Sequence, residues 1–170
     1  MNRVAILGSG GSGKSTFSQK LAEIIGLPLF HLDEYYWRPG WVETTLEEWR
    51  IIQGELVAHE RWIIEGNYSG TYDLRLPRVD TVIVLSPPRR VCVYRVVKRV
   101  LVNWHRDVQA AGCPERLDIS FIHWVWRFPR EERPVLDQAL SRYAGQFAVV
   151  ELTSTKSAKR YLDGVRANLS

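Results

Sequence analysis

The sequence has few cysteines, no long apolar run and no repeated or low-complexity segment. Its two cysteines, Cys92 and Cys113, are too few for a disulfide scaffold and form no C-x-x-C pair, so we expect two reduced thiols. No apolar run approaches the roughly 18 residues needed to span a bilayer, and the first strand starts too early for a signal peptide. The four histidines share no metal-ligand spacing. We therefore expect a cytoplasmic protein without a membrane partner.

Composition predicts one ordinary globular domain over residues 1–170. Hydrophobic residues make up 45% of the 170 and charged residues 25%, and no linker marks a boundary. The net charge of +4 suits nucleic acid, but it suits a pocket for polyanionic phosphates equally well. Composition does not separate these two partners, nor a monomer from a homodimer.

The most informative motif lies at residues 8–15, GSGGSGKS, which match the phosphate-binding pattern G-x-x-x-x-G-K-[ST]. Glycines let successive backbone N–H groups surround phosphates, Lys14 can reach the β- and γ-oxygens, and the Ser15 hydroxyl can ligate Mg²⁺. An apolar run precedes the motif and an apolar helical pattern follows it, as this loop requires. The nucleotide-binding residues predicted here are Gly8, Gly10, Gly11, Ser12, Gly13, Lys14, Ser15 and Thr16.

Five short apolar runs alternate with helical patterns along the chain. The predicted strands cover residues 4–7, 29–32, 62–64, 81–85 and 147–152; the predicted helices cover residues 16–25, 45–59 and 89–106, with a last helix after residue 155. Such alternation predicts an α/β fold with a parallel sheet between two helical layers. Ligands then bind beyond the carboxyl ends of the strands. Residues 103–134 fit no simple βα unit, which favours a functional excursion such as a lid.

Two carboxylates follow predicted strands and so should lie near the phosphate-binding loop. Asp33 is the candidate base for an attacking hydroxyl, although it could instead cap the next element, with Glu34 as the alternative base. Glu65 occupies the place of a Walker B residue, which orients the water shell of Mg²⁺. The alternative for Glu65 is an exposed carboxylate at a strand end.

Aromatic residues cluster after Asp33, and they could either wall a planar or sugar-like substrate or belong to the core. They are Tyr35, Tyr36, Trp37 and Trp41. Arg38 among them could bind an anionic group of the substrate or be exposed to solvent.

The helix predicted over residues 89–106 has an apolar side and a basic side. At 100° per residue the apolar side holds Val93, Val97, Val100 and Trp104. The opposite stripe holds Arg95, Arg99 and Arg106. The stripe is either a solvated face or a contact with nucleotide phosphates, because the helix leaves the same end of the sheet as the loop. Further along, Arg127, Arg130 and Arg133 are candidate lid arginines or surface charges.

With these motifs, the chain resembles the nucleoside-monophosphate-kinase and shikimate-kinase group of P-loop kinases. More narrowly, it resembles the adenylate-kinase-related, FlaR-like proteins labelled "DNA topology modulation". The segments that carry this resemblance are residues 8–16, 31–33, 37–41, 65–68, 112–115 and 124–129.

The resemblance implies roles for particular residues. Adenylate kinases have an Arg-x-x-x-Arg pair at the lid entrance, which Arg95 and Arg99 match, the first packing on adenine and the second contacting phosphate. Their Asp-Gly segment is matched by Glu65-Gly66. The arginine that follows it and binds the acceptor phosphate has no counterpart in residues 66–69. The segment around Asp33 is more similar to kinases that act on nucleoside or sugar-alcohol hydroxyls.

The sequence therefore predicts an ATP- and Mg²⁺-dependent small-molecule kinase with a P-loop NTPase fold, strand order 2-3-1-4-5, an acceptor-binding insertion over residues 34–60 and a helical lid over residues 103–134. Its predicted catalytic residues are Lys14, Asp33, Arg95, Arg99 and Arg130; Arg95 also binds ATP, and Ser15 and Glu65 hold Mg²⁺, Glu65 through water. The acceptor is a hydroxyl or phosphate compound that the sequence does not name. The alternatives are a nucleotide-dependent DNA-associated regulator, for which no helix-turn-helix or basic tail is evident, and an NTPase switch without an acceptor.

Overall fold

The computed structural model describes residues 1–169. Its strands are β1 (Arg3–Gly8), β2 (Leu29–His31), β3 (Trp37–Arg38), β4 (Val42–Glu43), β5 (Trp62–Glu65), β6 (Thr81–Leu85) and β7 (Ala148–Leu152). Its helices are α1 (Lys14–Ile25), α2 (Leu32–Tyr36), α3 (Leu46–Ala58), α4 (Tyr72–Arg75), α5 (Arg89–Val102), α6 (Ile119–Arg142) and α7 (Thr155–Ala167). Within residues 1–169, no helix is both long and apolar enough to cross a membrane.

The five predicted strands form one parallel sheet in the order β2-β5-β1-β6-β7, which confirms the predicted order. The central strand β1 pairs with β5 on one side and with β6 on the other, and Gly8 at its end lies opposite Leu85. All the residues of β5 and β6 are buried, as expected for parallel strands covered on both faces. The short strands β3 and β4 form a separate antiparallel hairpin.

Alternation along β1 divides the core into two layers. Ala5 and Leu7 face the layer that includes α3 and Leu136 of α6, whereas Val4 and Ile6 face the layer that includes α1 and α7. This is the three-layer αβα arrangement predicted from the sequence. Both layers pack against β1, so the core fixes the position of Gly8, where the following loop begins.

The predicted helix over residues 89–106 is shorter than expected, and its buried side is different. Helix α5 ends at Val102 with Asn103 as its C-cap residue, whose backbone N–H and side-chain amide both donate to the carbonyl of Arg99, at 2.9 and 3.0 Å. Arg106 is therefore not on this helix, and Trp104, predicted on its apolar side, is exposed. The buried residues of α5 are Cys92, Val96 and Val100; Val100 was predicted on the apolar side, whereas Cys92 and Val96 were not, and these two pack against Val125 of α6.

The segment predicted as a lid, residues 103–134, spans two different elements. Residues 103–118 form a loop, and the remainder belongs to α6, a helix of 24 residues that begins where Asp118 accepts a hydrogen bond from the N–H of Phe121. Pro129 and Pro134 lie inside this helix, and each removes one backbone hydrogen bond. Because of these two prolines, the sequence did not predict a helix here. Packing against α5 and the core stabilises the helix.

We expect the sheet core to dominate stability. Ile83, in β6, is fully buried, whereas Ile51, on α3, is 59% exposed. Ile83→Ala should lower the free energy of unfolding by about 2–5 kcal/mol, because it removes buried methylenes and leaves a cavity. The matched substitution Ile51→Ala should change it by less than about 0.5 kcal/mol. Urea denaturation of both variants measures the difference, and equal losses would contradict this core assignment.

Candidate functional site

The phosphate-binding loop lies between β1 and α1, and its backbone is so closely packed that three positions require glycine. A Cβ at Gly8 would lie 2.2 Å from the carbonyl oxygen of Leu85, and one at Gly11 would lie 2.3 Å from that of Cys92. Gly11 also has a φ of +71°, which L side chains disfavour. At Gly10 the obstacle is the ring of Phe121, 2.7 Å away. Helices α5 and α6 therefore press the loop into its curved form.

Polar contacts hold the same loop from within and from β5. The side-chain amide of Asn67 brackets Gly8, accepting from its N–H at 2.9 Å and donating to its carbonyl at 2.7 Å. Lys14 Nζ donates to the carbonyl of Ser9 at 3.1 Å, so the ammonium curls back over the loop. Among residues 1–169, the buried hydroxyls of Ser9 and Ser12 have no hydrogen-bond partner. Such orphaned polar atoms are unusual in a native interior and fit a ligand that brings oxygens to the loop.

Glu65 joins the loop to two neighbouring elements. Its side chain is buried, and its carboxylate lies 3.1 Å from the Ser15 hydroxyl, 2.9 Å from His31 Nδ1 and 3.7 Å from Lys14 Nζ. The residue as a whole is only 5% exposed, so it is not the exposed strand-end carboxylate of the alternative interpretation. It lies where the Walker B interpretation expects a carboxylate. His31 was not among the predicted site residues, although it ends β2 next to β5 and belongs to one of the segments that carry the family resemblance.

The contacts of Glu65 keep it ionised. Burial alone would raise the pKa of Glu65, but the hydrogen bond from His31 and the charge of Lys14 outweigh burial, so its pKa is lowered. The hydrogen bond to Glu65 in turn raises the pKa of His31. A carboxylate held in its charged form beside a serine hydroxyl supplies the hard oxygen ligands that Mg²⁺ prefers.

Asp33 lies in the first turn of α2, and its side chain does not cap that helix. Its carboxylate accepts a hydrogen bond of 2.5 Å from the Tyr68 hydroxyl. Burial raises the pKa of Asp33; the Tyr68 hydrogen bond and the charges of Lys14 and Arg99 offset part of this rise. Glu34, the alternative base, is exposed. Asp33 is thus an oriented carboxylate within the electrostatic reach of the loop lysine.

The turn after β5, which carries Asn67 and Tyr68, is fixed by a buried arginine that the sequence did not single out. Arg75 is 1% exposed and donates to the carbonyls of Gly66 at 2.8 Å, Tyr68 at 3.0 Å and Asn67. Burial lowers its pKa to about 10. Tyr68 has a φ of 45°, a conformation that this clamp helps to maintain. Arg75 therefore positions both the residue that brackets Gly8 and the residue that orients Asp33.

The two arginines of α5 predicted to meet phosphate both face the site. Arg95 donates to the carbonyl of Ser12 at 3.1 Å and to the hydroxyl of Thr155 at 2.8 Å, so it lies directly on the loop. Arg99, one turn further, lies with its Nε 2.9 Å from Glu115 Oε1. Arg95 and Arg99 are therefore bound to protein groups, whereas Arg106, the third residue of the predicted stripe, is exposed.

The three predicted lid arginines lie on α6, and the structure does not bring them to the loop. Arg127 pairs with Glu131 within the exposed part of the helix. Arg133 pairs with Asp137 at 2.7 Å and with Glu151 of β7 at 2.5 Å, which makes it a structural residue. Arg130 is exposed, and within residues 1–169 no carboxylate pairs with it. Its catalytic role stays a prediction that requires α6 to shift.

The aromatic residues after Asp33 divide between core and surface. Tyr36 packs edge-on against Trp49 and at a tilt against Tyr68, with ring centroids 5.0 and 4.7 Å apart, and it packs against the sheet core. Trp37 and Trp41 are half-buried and contact each other, and Tyr35 is exposed. Arg38, a candidate ligand of an anionic group, instead pairs with Glu48.

The fold of this chain is similar to the folds of several solved kinases. Among solved structures, shikimate kinase from Acinetobacter baumannii in complex with shikimate is 14% identical, with a TM-score of 0.64 over 99% of this chain and 94% of that one. A gluconokinase from Sinorhizobium meliloti is 18% identical, with a TM-score of 0.54 over 99% and 95%. Deoxyadenosine kinase from M. mycoides is 16% identical, with a TM-score of 0.52 over 98% and 97%. At these identities the likeness establishes the fold, which is that of P-loop kinases.

No family model matches the chain, and no curated protein matches it. The resemblance to the FlaR-like proteins therefore stays a prediction, whereas the P-loop kinase fold is a finding.

We predict that the closely packed glycine at position 11 is needed for nucleotide binding. Gly11→Ala should weaken Mg·ATP binding by at least about tenfold, because the loop must shift to relieve roughly 1–3 kcal/mol of backbone strain. The control is Gly54→Ala, which adds a methyl group to α3 where no atom lies within 4 Å. Isothermal titration calorimetry with Mg·ATP and a thermal melt separate binding from folding. Unchanged affinity in Gly11→Ala would contradict the assignment of the loop.

Proposed function

We propose that the protein is an ATP-dependent small-molecule kinase that transfers the γ-phosphoryl group of ATP to a hydroxyl acceptor. The observation that carries this proposal is the Asp33 carboxylate, which Tyr68 orients on the acceptor side of the loop that holds Lys14. A carboxylate so placed suits proton removal from an attacking hydroxyl. Simple hydrolysis does not need such an acceptor-side carboxylate backed by a segment of aromatic residues.

The residues around the loop fit ATP and Mg²⁺. The glycines let the loop backbone curve tightly against Leu85 and Cys92, and Ser9 and Ser12 offer hydroxyls without a partner among residues 1–169. Ser15 and Glu65 would hold Mg²⁺, Glu65 through water, and nucleotide oxygens and water complete the coordination that this ion usually has. When bound, the ion would neutralise charge on the phosphates.

In the proposed reaction the acceptor oxygen forms a bond to the γ-phosphorus while the bond between that phosphorus and the bridging oxygen of ADP breaks. The hydroxyl proton passes to a carboxylate oxygen of Asp33. Lys14, Arg95 and Arg99 stabilise the negative charge on the transferring group and on the leaving oxygen. Arg130 would join them only in a rearranged lid.

We propose one kinase domain, in which residues 34–60 bind the acceptor and residues 103–134 contain the lid. The charges on the acceptor side support a hydroxyl rather than a phosphate acceptor. An anionic group would be bound by a free arginine, but Arg38 pairs with Glu48, Arg50 with Asp73, and Arg75 with backbone carbonyls. A nucleoside, sugar or polyol therefore fits these surroundings better than a nucleoside monophosphate does.

We expect Lys14→Ala to abolish ATP-dependent phosphoryl transfer, because it removes a cation from the transferring phosphates, and to leave the chain folded. The control is Lys20→Ala, an exposed lysine on the same helix. The measurement is ATP consumption in the presence of nucleosides, nucleoside monophosphates and small hydroxylated metabolites, with duplex DNA as a separate condition. Normal turnover in Lys14→Ala would refute the proposal.

The outcome of this acceptor screen also decides between the proposed function and its rivals. Turnover stimulated by a nucleoside or polyol supports a hydroxyl kinase. ATP hydrolysis that no compound stimulates would instead favour an NTPase switch. Strong DNA binding with a steep salt dependence would favour a DNA-associated regulator.

We expect Tyr68→Phe to shift the acid limb of the pH profile to higher pH. The hydroxyl of Tyr68 donates to the ionised form of Asp33, so its loss destabilises that form and raises the pKa of Asp33 further. The limb where kcat/KM rises with pH should move to higher pH with the acceptor that the screen identifies, whereas the profile of Tyr94→Phe, an exposed tyrosine of α5, should not move. An unshifted acid limb would mean that Asp33 is not the base.

A further inference from the structure

The loop of residues 103–118 rests on the β3–β4 hairpin through one short segment, Gly112–Cys113–Pro114–Glu115. The carbonyl of Gly112 accepts from the N–H of Gly40 at 2.8 Å, and that of Pro114 accepts from the indole N–H of Trp41 at 3.0 Å. The thiol of Cys113, which is fully buried, lies 3.2 Å from the carbonyl of Arg38. We call residues 112–115 the clasp.

Backbone strain shows that the fit between clasp and hairpin is close. Trp41 has a φ of 63°, a conformation that is uncommon for a bulky side chain. A Cβ at Gly112, whose φ is +71°, would lie 2.7 Å from the Cβ of Pro39. Strained residues of this kind persist only where the surroundings impose the conformation, and they concentrate at functional sites.

Glu115, the last residue of the clasp, points away from the hairpin and toward α5. Glu115 is 2% exposed, and its Oε1 lies 2.9 Å from Arg99 Nε and 3.2 Å from Gln109 Nε2. A buried carboxylate needs such a partner, so the side chain of Arg99 is held where Glu115 holds it. Arg99 lies one turn of α5 beyond Arg95, which donates to the carbonyl of Ser12, so the ion pair lies next to the arginine that contacts the phosphate-binding loop.

We propose that the clasp is a positioning element for phosphoryl transfer, in which Trp41 seats the clasp on the acceptor-side hairpin and Glu115 thereby fixes Arg99 at the transferring phosphate. This inference rests on the proposed kinase function and adds a specific coupling to it. The hairpin belongs to the segment proposed to bind the acceptor, and α5 carries the arginines of the donor side. If the hairpin moved, Glu115 would no longer hold Arg99 in place. Phosphoryl transfer would therefore require an ordered hairpin.

Reactivity of Cys113 tests the clasp without any acceptor. The thiol is reached only when the clasp leaves the hairpin, so its rate of modification reports the population of the open form. The probe is N-ethylmaleimide, and peptide mass spectrometry measures Cys113 and Cys92 separately. Cys92 is buried between α5 and α6 and serves as the internal control for unfolding.

Trp41→Phe removes the indole N–H and keeps an aromatic ring, and it should raise the modification rate of Cys113 roughly two- to tenfold, the equivalent of one hydrogen bond. Glu115→Gln should do the same, because it removes the charge that pairs with Arg99. Trp104→Phe, an exposed tryptophan of the same loop, is the matched control and should have no effect. An unchanged Cys113 rate in Trp41→Phe, or a change that Cys92 shares, would overturn the clasp.

The coupling to Arg99 is tested with the acceptor found in the screen. Trp41→Phe should lower kcat roughly two- to tenfold with little change in the KM for ATP, and this effect should disappear in an Arg99→Ala background. A purely structural contact would give independent effects in the two backgrounds, which would overturn the positioning role. If no compound stimulates turnover, the kinase proposal fails, and the Cys113 measurements alone decide whether the clasp exists.

Discussion

The buried carboxylate of Glu65 is the constraint on which the rest of the site depends. A charge removed from water is stable only with close partners, and those of Glu65 come from β2 and from the start of α1. The parallel register places His31 beside Glu65 and Gly8 beside Leu85, so the sheet itself brings these partners together. The geometry around Glu65 is thus a consequence of strand order.

A second set of contacts around Glu65 fixes the backbone of the neighbouring loop and turn. Helices α5 and α6 pack onto the loop so closely that side chains are excluded, and Arg75 ties down the turn after β5 with hydrogen bonds to carbonyls. Burying Arg75 is energetically costly, because its guanidinium is removed from water and no carboxylate among residues 1–169 forms an ion pair with it. This cost is justified if Asn67, which contacts Gly8, and Tyr68, which orients Asp33, must be positioned to within about half an ångström.

The sequence predicted the sheet order and the donor side because local patterns encode them: apolar runs, a glycine motif and carboxylates at strand ends. It placed Lys14, Ser15 and Glu65 correctly with respect to each other. It did not predict the division of residues 103–134, because two prolines interrupted a helix that tertiary packing maintains, nor the side of α5 that is buried. It also missed Arg75 and the contacts of Glu115, since both depend on residues distant in the chain that only the fold brings together.

Two arginines of α5 have partners of different kinds. Arg95 donates to the carbonyl of Ser12 in the phosphate-binding loop, and Arg99 forms an ion pair with Glu115. A guanidinium bound to a carbonyl can exchange that neutral partner for a phosphate at little cost, whereas one paired with a buried carboxylate cannot leave it without exposing a charge. Arg95 can therefore change partners at little cost, whereas Arg99 stays with Glu115. In the proposed kinase the two arginines would have different roles: Arg95 would adapt to the nucleotide, and Arg99 would move with the loop of residues 103–118, which rests on the β3–β4 hairpin.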